Sequence, residues 1–299
     1  MNIIDSHFHI YKSEQAGLLA QGGGSFCGFK GTLEEAKTFL DRGHIKKLLA
    51  LAVIPISPMR EAAMKKRPEG LNAAKREEFA LELESKLEKR LSDYNDYLCR
   101  SAREDGRLEP VIAADGSLKA DFMIQEIMTK VESYGIKILK IHPAVNGITP
   151  DHKGYEPVFE LAQDQGITVI SHGGLSGEDP EGKYCAPENF ENVLQRFPRV
   201  KLIVAHLAYP HTDGLLKLAG KFENLYTDIS FVMRNSSLSD EALVEIISSF
   251  GKERVLFGSD FPWSNPEEDA ERLLKFKLSE NELDLLVHQN AIKIFNLGQ

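Results

Sequence analysis

The chain has 299 residues, 42% apolar and 27% charged, ordinary proportions for a globular protein and enough length for one α/β barrel or two smaller domains. No stretch approaches the roughly 18 uninterrupted apolar residues of a membrane helix, so no membrane partner is expected. The 36 basic and 45 acidic side chains leave a net charge of −9 and are mixed along the chain, which disfavours a nucleic-acid partner and favours a small molecule. Cys27, Cys99 and Cys185 are far apart and lack CxxC spacing, which argues against a disulfide framework or a thiolate metal site. No basic, apolar leader precedes the patterned segment Asn2–Asp5, so a cytoplasmic location is expected.

Short apolar or β-branched runs recur along the chain at Ile3 to His9, Lys47 to Val53, Leu108 to Ala113, Ile136 to His142, Ile167 to His172, Val200 to His206, Leu225 to Ile229 and Val255 to Asp260. Near-continuous apolar runs such as Leu202-Ile203-Val204-Ala205 are the mark of parallel strands covered on both faces. Helical patterns lie between them, at Thr32 to Arg42, Asp121 to Tyr134, Tyr155 to Gln165, Glu188 to Phe197 and Ser239 to Phe250. Thr32 with Glu35 has capping-box spacing, and Gly43, Gly135, Gly166 and Gly251 stand where left-handed C-caps belong. Eight strands alternating with helices predict a (β/α)8 TIM barrel, one domain over residues 1–299.

Two segments exceed the minimal repeat. The connection after the second strand, from roughly Pro55 to Arg107, carries a long charged helix from Asn72 to about Arg103, and an extra C-terminal helix follows Leu278. The glycine-rich stretch Gln21 to Ser25 is read as a loop near the active face, a candidate lid. The alternating charges from Lys75 to Arg90 read as a solvated helix face or a subunit contact.

Five of the nine histidines, His7, His9, His142, His172 and His206, fall at the C-terminal ends of four expected strands, and Asp260 ends a fifth. Barrel active sites form at that face, so residues distant in sequence converge there. Residues two apart on a strand share a face, which pairs His7 with His9 and Lys140 with His142. Three imidazoles and a carboxylate make a normal ligand set for Zn²⁺ or a similar divalent ion, which lowers the pKa of bound water and polarises substrate oxygens. Asp260 has a second oxygen with which to accept the water proton, and His206 is placed as a second acid or base. The bland alternative is a layer of strand-end polar groups hydrogen-bonded to one another. Lys140, His142, Asp228, Arg234 and Arg60 lie at the mouth and are candidate substrate contacts, with strand-end capping and solvation as their structural readings.

These residues resemble a family, the amidohydrolase superfamily, in its amidohydrolase-related branch that includes aminocarboxymuconate semialdehyde decarboxylase. Asp5-Ser6-His7-Phe8-His9 resembles the first-strand HxH motif, and Leu139-Lys140-Ile141-His142-Pro143 the fourth-strand K-x-H-P. Val169-Ile170-Ser171-His172-Gly173-Gly174 resembles the fifth-strand metal histidine segment, Ala205-His206 the sixth-strand histidine, and Phe257 to Trp263 the eighth-strand G-S-D-x-P-W. The resemblance covers nearly the whole chain. It implies one divalent metal, usually zinc, held by His7, His9, His172 and Asp260, with His206 orienting or activating its water. Some binuclear relatives use a carboxylated lysine at the fourth strand, whereas the setting of Lys140 resembles the mononuclear branch.

The leading expectation is a metal-dependent hydrolase of a small, carboxylated substrate, with Asp260 and His206 catalytic. The alternative is a non-oxidative decarboxylase of an unsaturated or aromatic acid, and a lesser one is a non-catalytic metal-binding barrel. By resemblance alone, a homodimer is plausible.

Overall fold

The protein is described by a computed structural model covering residues 2–298, so both terminal residues of the expected 1–299 domain lie outside the described residues. Eight parallel strands follow one another in chain order around a barrel: β1 (Ile3–His9), β2 (Ile45–Leu51), β3 (Leu108–Ala113), β4 (Ile138–Ile141), β5 (Thr168–Ser171), β6 (Leu202–Val204), β7 (Leu225–Asp228) and β8 (Val255–Leu256). The barrel closes between its first and last strands. Ser6 N donates to Phe257 O at 2.9 Å, His9 N to Phe261 O at 2.9 Å, and Asp260 N to His7 O at 2.8 Å. The expected (β/α)8 architecture is therefore present, with β2 two residues earlier than expected and β4, β5, β6 and β8 ending before their functional side chains.

Helices occupy Leu33–Arg42, Ala120–Tyr134, Glu156–Gln165, Pro187–Arg196 and Asp240–Phe250, as the apolar periodicity requires. The Thr32–Glu35 capping box forms, and Gly43, Gly135 and Gly166 adopt the left-handed C-cap. Gly251 does not: its φ of 103° and ψ of 109° lead the chain straight into a short turn at Lys252–Arg254. The stretch from Gln21 to Ser25 does not follow β1 directly, because a helix at Glu14–Ala20 intervenes, capped by Ser13. The enlarged connection after β2 contains a helix at Ile56–Lys65 and the 32-residue helix Ala73–Glu104, whose N-cap Asn72 accepts from Lys75 N.

Burial divides into two layers. The larger packs the outward faces of the strands against the helices; the smaller fills the barrel floor with Ile4, Leu49, Val111, Ile138, Ile170, Ile203 and Leu256. The C-terminal segment plugs this floor with Ile294, Phe295 and Leu297, and Lys137 and Lys201 donate to the Asn296 and Ile294 carbonyls at its end. The expected terminal helix is thus a structural plug, broken by one wide turn at Leu285–Gln289.

A register shift in β1 positions the active face. From Asp5 to Phe8 the chain advances three residues while its partner advances two, from Leu48 to Ala50. The extra residue takes the inward face from Ile4 on the floor to His7 and His9 at the mouth. Among the described residues no helix is long and apolar enough to cross a membrane.

Beside β8, the helix Pro266–Leu273 buries Asp269, one of whose carboxyl oxygens has no partner among the described residues. Burial raises its pKa from 3.8 to about 7. The folded state therefore holds a proton that the unfolded state has released, and stability falls as pH rises from about 4 to about 7. In Asp269→Asn this decline should flatten by on the order of 1 kcal/mol, read from urea unfolding at pH 5 and pH 7. An unchanged slope would show that Asp269 titrates normally.

Candidate active site

Asp228, at the end of β7, lies beneath the histidines and is almost wholly buried. Its Oδ2 accepts from His7 Nδ1 at 2.9 Å, and its Oδ1 accepts from His206 N at 2.9 Å and from the Ser230 amide and hydroxyl. Expected from the sequence as a substrate contact, Asp228 instead has both oxygens engaged by the groups around it. Burial alone would raise its pKa, but His7 and then His206 outweigh that and hold it well below the usual carboxylate range.

The result is a set of fixed tautomers. His7 donates through Nδ1 to Asp228, so Nε2 presents its lone pair toward the barrel mouth. Burial, then the cation of Lys140, lowers the His7 pKa to about 3, so the imidazole is neutral. His206 Nδ1 lies 3.1 Å from Ser230 O and 2.9 Å from Ser230 Oγ; the carbonyl requires Nδ1 to be the donor, which frees Nε2. His172 Nε2 donates to Leu175 O at 2.9 Å, which leaves the Nδ1 lone pair free.

Asp260 stands 3.1 Å from His9 Nε2 and 3.4 Å from His7 Nε2. Burial works to raise its pKa, and the imidazoles, His206 first, outweigh it and keep the carboxylate ionised. His7, His206 and Asp260 each offer an atom within 4.8 Å of the others, a buried group able to hold a metal ion. A neutral His7 and an ionised Asp260 are the protonation states that a divalent cation needs, so the chemistry of these donors fits one. His206 thus stands inside the group, closer than a role beside the ligands requires. The His172 ring lies edge-on to His206 with centroids 5.0 Å apart and stacks on His142 at 4.1 Å.

Backbone strain marks the same positions. His206 has φ 60° and Asp260 φ 61°, left-handed values that non-glycine residues seldom adopt. Each is held by its own amide, His206 N on Asp228 and Asp260 N on His7 O. Gly258 has no room for a side chain, since a Cβ there would lie 2.7 Å from His7 Cβ.

The fourth-strand residues divide. Lys140 is buried with Nζ 3.3 Å from His7 Nε2, and desolvation lowers its pKa to about 8. His142 accepts from Val145 N and caps the short helix Pro143–Asn146 while its ring faces the site. The two arginines placed at the mouth are engaged elsewhere: Arg60 with Glu84 at 2.7 and 3.0 Å, and Arg234, 42% exposed, with Glu268 at 2.9 Å. Ser230 was missed in the sequence, although it follows the Asp228 strand end by two residues. Tyr11 was also missed. It continues the spacing of His7 and His9, its ring stacks beside His9 at 6.2 Å, and its buried hydroxyl has no partner among the described residues.

A family model described as amidohydrolase matches residues 4–297, and the chain belongs to that family. A dihydroorotase from Helicobacter hepaticus is 29% identical over 131 residues, 41% of this chain and 37% of that protein. A 2-amino-3-carboxymuconate-6-semialdehyde decarboxylase from Dictyostelium discoideum is 24% identical over 208 residues, 58% of this chain and 57% of that protein. The chain thus matches less than two thirds of the length of either relative. Among solved structures, a dihydroxybenzoic acid decarboxylase from Polaromonas sp. JS666, with bound manganese and the inhibitor 2-nitroresorcinol, is similar in fold: TM-score 0.71, 15% identity, 100% of this chain and 98% of that one.

Removal of the Asp228 carboxylate would leave the His7 Nδ1–H and the His206 amide buried and unpaired. Asp228→Ala is expected to lose about 3 kcal/mol of folding stability in urea titration. A loss below about 1 kcal/mol would mean that water replaces the carboxylate there.

Proposed function

We propose that the chain is a divalent-metal-dependent, non-oxidative decarboxylase of a small aromatic or unsaturated carboxylic acid. The observation that carries this reading is the buried His7, His206 and Asp260 group with the Lys140 ammonium beside it, in a chain whose longer match of the two relatives is to a decarboxylase. On this reading His7 and Asp260 hold one metal ion, with His206 in the same group and His9 and His172 the further ligands expected from the sequence; the ion is zinc by the donor set or manganese as in the solved Polaromonas protein. When bound, the metal supplies Lewis-acid polarisation of the substrate's oxygens.

The protein residues do the remaining work. Lys140 adds positive charge where an acid's carboxylate would enter, and the apolar floor excludes water beneath it. Asp260 takes a proton from the substrate's acid or hydroxyl group and delivers it to the carbon that bears the carboxylate. The bond to the carboxylate then breaks, its electron pair restores the conjugated system, and carbon dioxide leaves. His206, with Nε2 free and Nδ1 tied to Ser230, stabilises the charge that moves through Asp260.

Hydrolysis, the leading expectation from the sequence, stays as the second reading because the dihydroorotase match is the higher in identity. In that case Asp260 accepts a proton from water.

The discriminating experiment loads the protein with Mn²⁺ or Zn²⁺ and offers 2,6-dihydroxybenzoate, other hydroxybenzoates and muconate-type acids, with carbon dioxide release measured in ¹⁸O-water. Carbon dioxide with no label in the remaining product supports decarboxylation. Label incorporated from a cyclic amide or lactone panel, without carbon dioxide, supports hydrolysis. Asp260→Asn should reduce turnover by about 10³-fold or more, and His7→Ala should lower the metal content from one ion per chain. Full turnover in Asp260→Asn would remove Asp260 from the chemistry.

A further inference from the structure

Three consecutive residues after β6 are left-handed: His206 at φ 60°, Leu207 at φ 53° and Ala208 at φ 48°. None is glycine, and such a run persists only where its surroundings hold it from more than one side. Asp228 supplies one hold, through the His206 amide at 2.9 Å. The turn itself adds two backbone contacts, Tyr209 N to His206 O at 2.9 Å and His211 N to Ala208 O at 2.8 Å.

The other hold comes from the segment after β5. Leu175 N donates to Tyr209 O at 3.2 Å, and Leu175 O accepts from His172 Nε2 at 2.9 Å, so one residue ties the β6 turn to a second histidine of the site. Gly174 N donates in turn to Cys185 O at 3.2 Å. The approach is so close that only glycine fits ahead of Leu175. A Cβ on Gly173 would lie 2.5 Å from Ala205 O, and one on Gly174, whose φ is +75°, would lie 2.1 Å from Tyr209 O. Both obstacles are backbone atoms, which cannot swing aside as a side chain can.

We propose that Gly174 and Leu175 are positioning residues of the metal group: the segment Gly173–Leu175 holds the His206 turn in its left-handed form and the His172 ring in its Nε2–H tautomer, and so sets the affinity for the ion. This rests on the metal-binding reading above and deepens it by adding a backbone element that itself supplies no donor atom to the ion. Hydrogen-bond partners behind the ligands of a metal tune its affinity in this way, by fixing ring orientation and tautomer. Because coupling is reciprocal, a bound ion must in turn hold this segment more firmly.

The test reads metal affinity and backbone protection, so it does not depend on turnover. Kd values for Mn²⁺ and Zn²⁺ are measured by chelator competition for the unsubstituted protein, Gly174→Ala and Gly177→Ala; Gly177 lies in the same loop with nothing within 4 Å of an added Cβ. Gly174→Ala should weaken the binding of both ions by about tenfold or more, and Gly177→Ala should stay within about twofold. In metal-free protein labelled with ¹⁵N-histidine, the His172 ring should show the Nε2–H tautomer, and Gly174→Ala should lose it. A loss of urea stability in Gly174→Ala with Kd values and His172 ring signals unchanged would show that these glycines serve the fold alone and would overturn the proposal. Should Gly174→Ala fail to fold, hydrogen exchange of the unsubstituted protein decides: the Leu175 amide should exchange about tenfold or more slowly with the ion than without it, and an unchanged rate sinks the coupling. If the unsubstituted protein binds neither ion, the metal-binding reading fails and the positioning role falls with it; binding that ignores Gly174→Ala removes the positioning role alone.

Discussion

A single buried carboxylate sets the arrangement at the mouth of this barrel. Asp228 joins β1 to the end of β6 by accepting from the His7 ring and the His206 amide at once. The first contact chooses the His7 tautomer, and the second holds His206 at a left-handed φ that its side chain would otherwise avoid. Ser230 completes the arrangement by fixing the His206 ring from the other side. Two imidazoles from separate strands therefore present lone pairs to the same point, and a third group, Asp260, meets them there. Because the carboxylate is shielded from water, its attraction for the two histidine groups is not diluted by a high dielectric, and little freedom remains in either ring.

The barrel prepares this point from below. The C-terminal segment seals the floor with apolar side chains, and the register shift in β1 moves the inward face from Ile4 to His7 and His9. The polar layer is thus confined to the upper half of the interior, backed by a dry lower half. Lys140 stands at the border of the two, and its burial is what draws its pKa down toward neutrality. A neutral His7, an ionised Asp260 and a poised Lys140 ammonium suit chemistry in which charge moves on or off a carboxylate, whichever bond is broken.

Hydrolysis and decarboxylation place similar demands on the strand-end residues. Both readings use Asp260 as the proton carrier and the same ligand set, so the strand-end residues alone do not separate them.

Much of the fold was legible in the sequence because its determinants are local. Apolar runs with period appropriate to buried strands, glycines at helix ends and the Thr32–Glu35 box depend on neighbours within a few residues, and all but Gly251 behave accordingly. The convergence of His7, His9, His206 and Asp260 was legible for a related reason: strand ends in a parallel barrel must gather at one face. The sequence alone did not reveal which atom each histidine presents, that both Asp228 oxygens are engaged by His7, His206 and Ser230, or that Arg60 and Arg234 are taken by Glu84 and Glu268. Those outcomes hinge on partners tens to hundreds of positions away, at distances of about 3 Å that no spacing rule encodes. The sequence by itself determined the barrel and the face on which its chemistry gathers; only the tertiary structure decided tautomers and hydrogen-bond partners, because each follows from long-range packing that places specific atoms within reach.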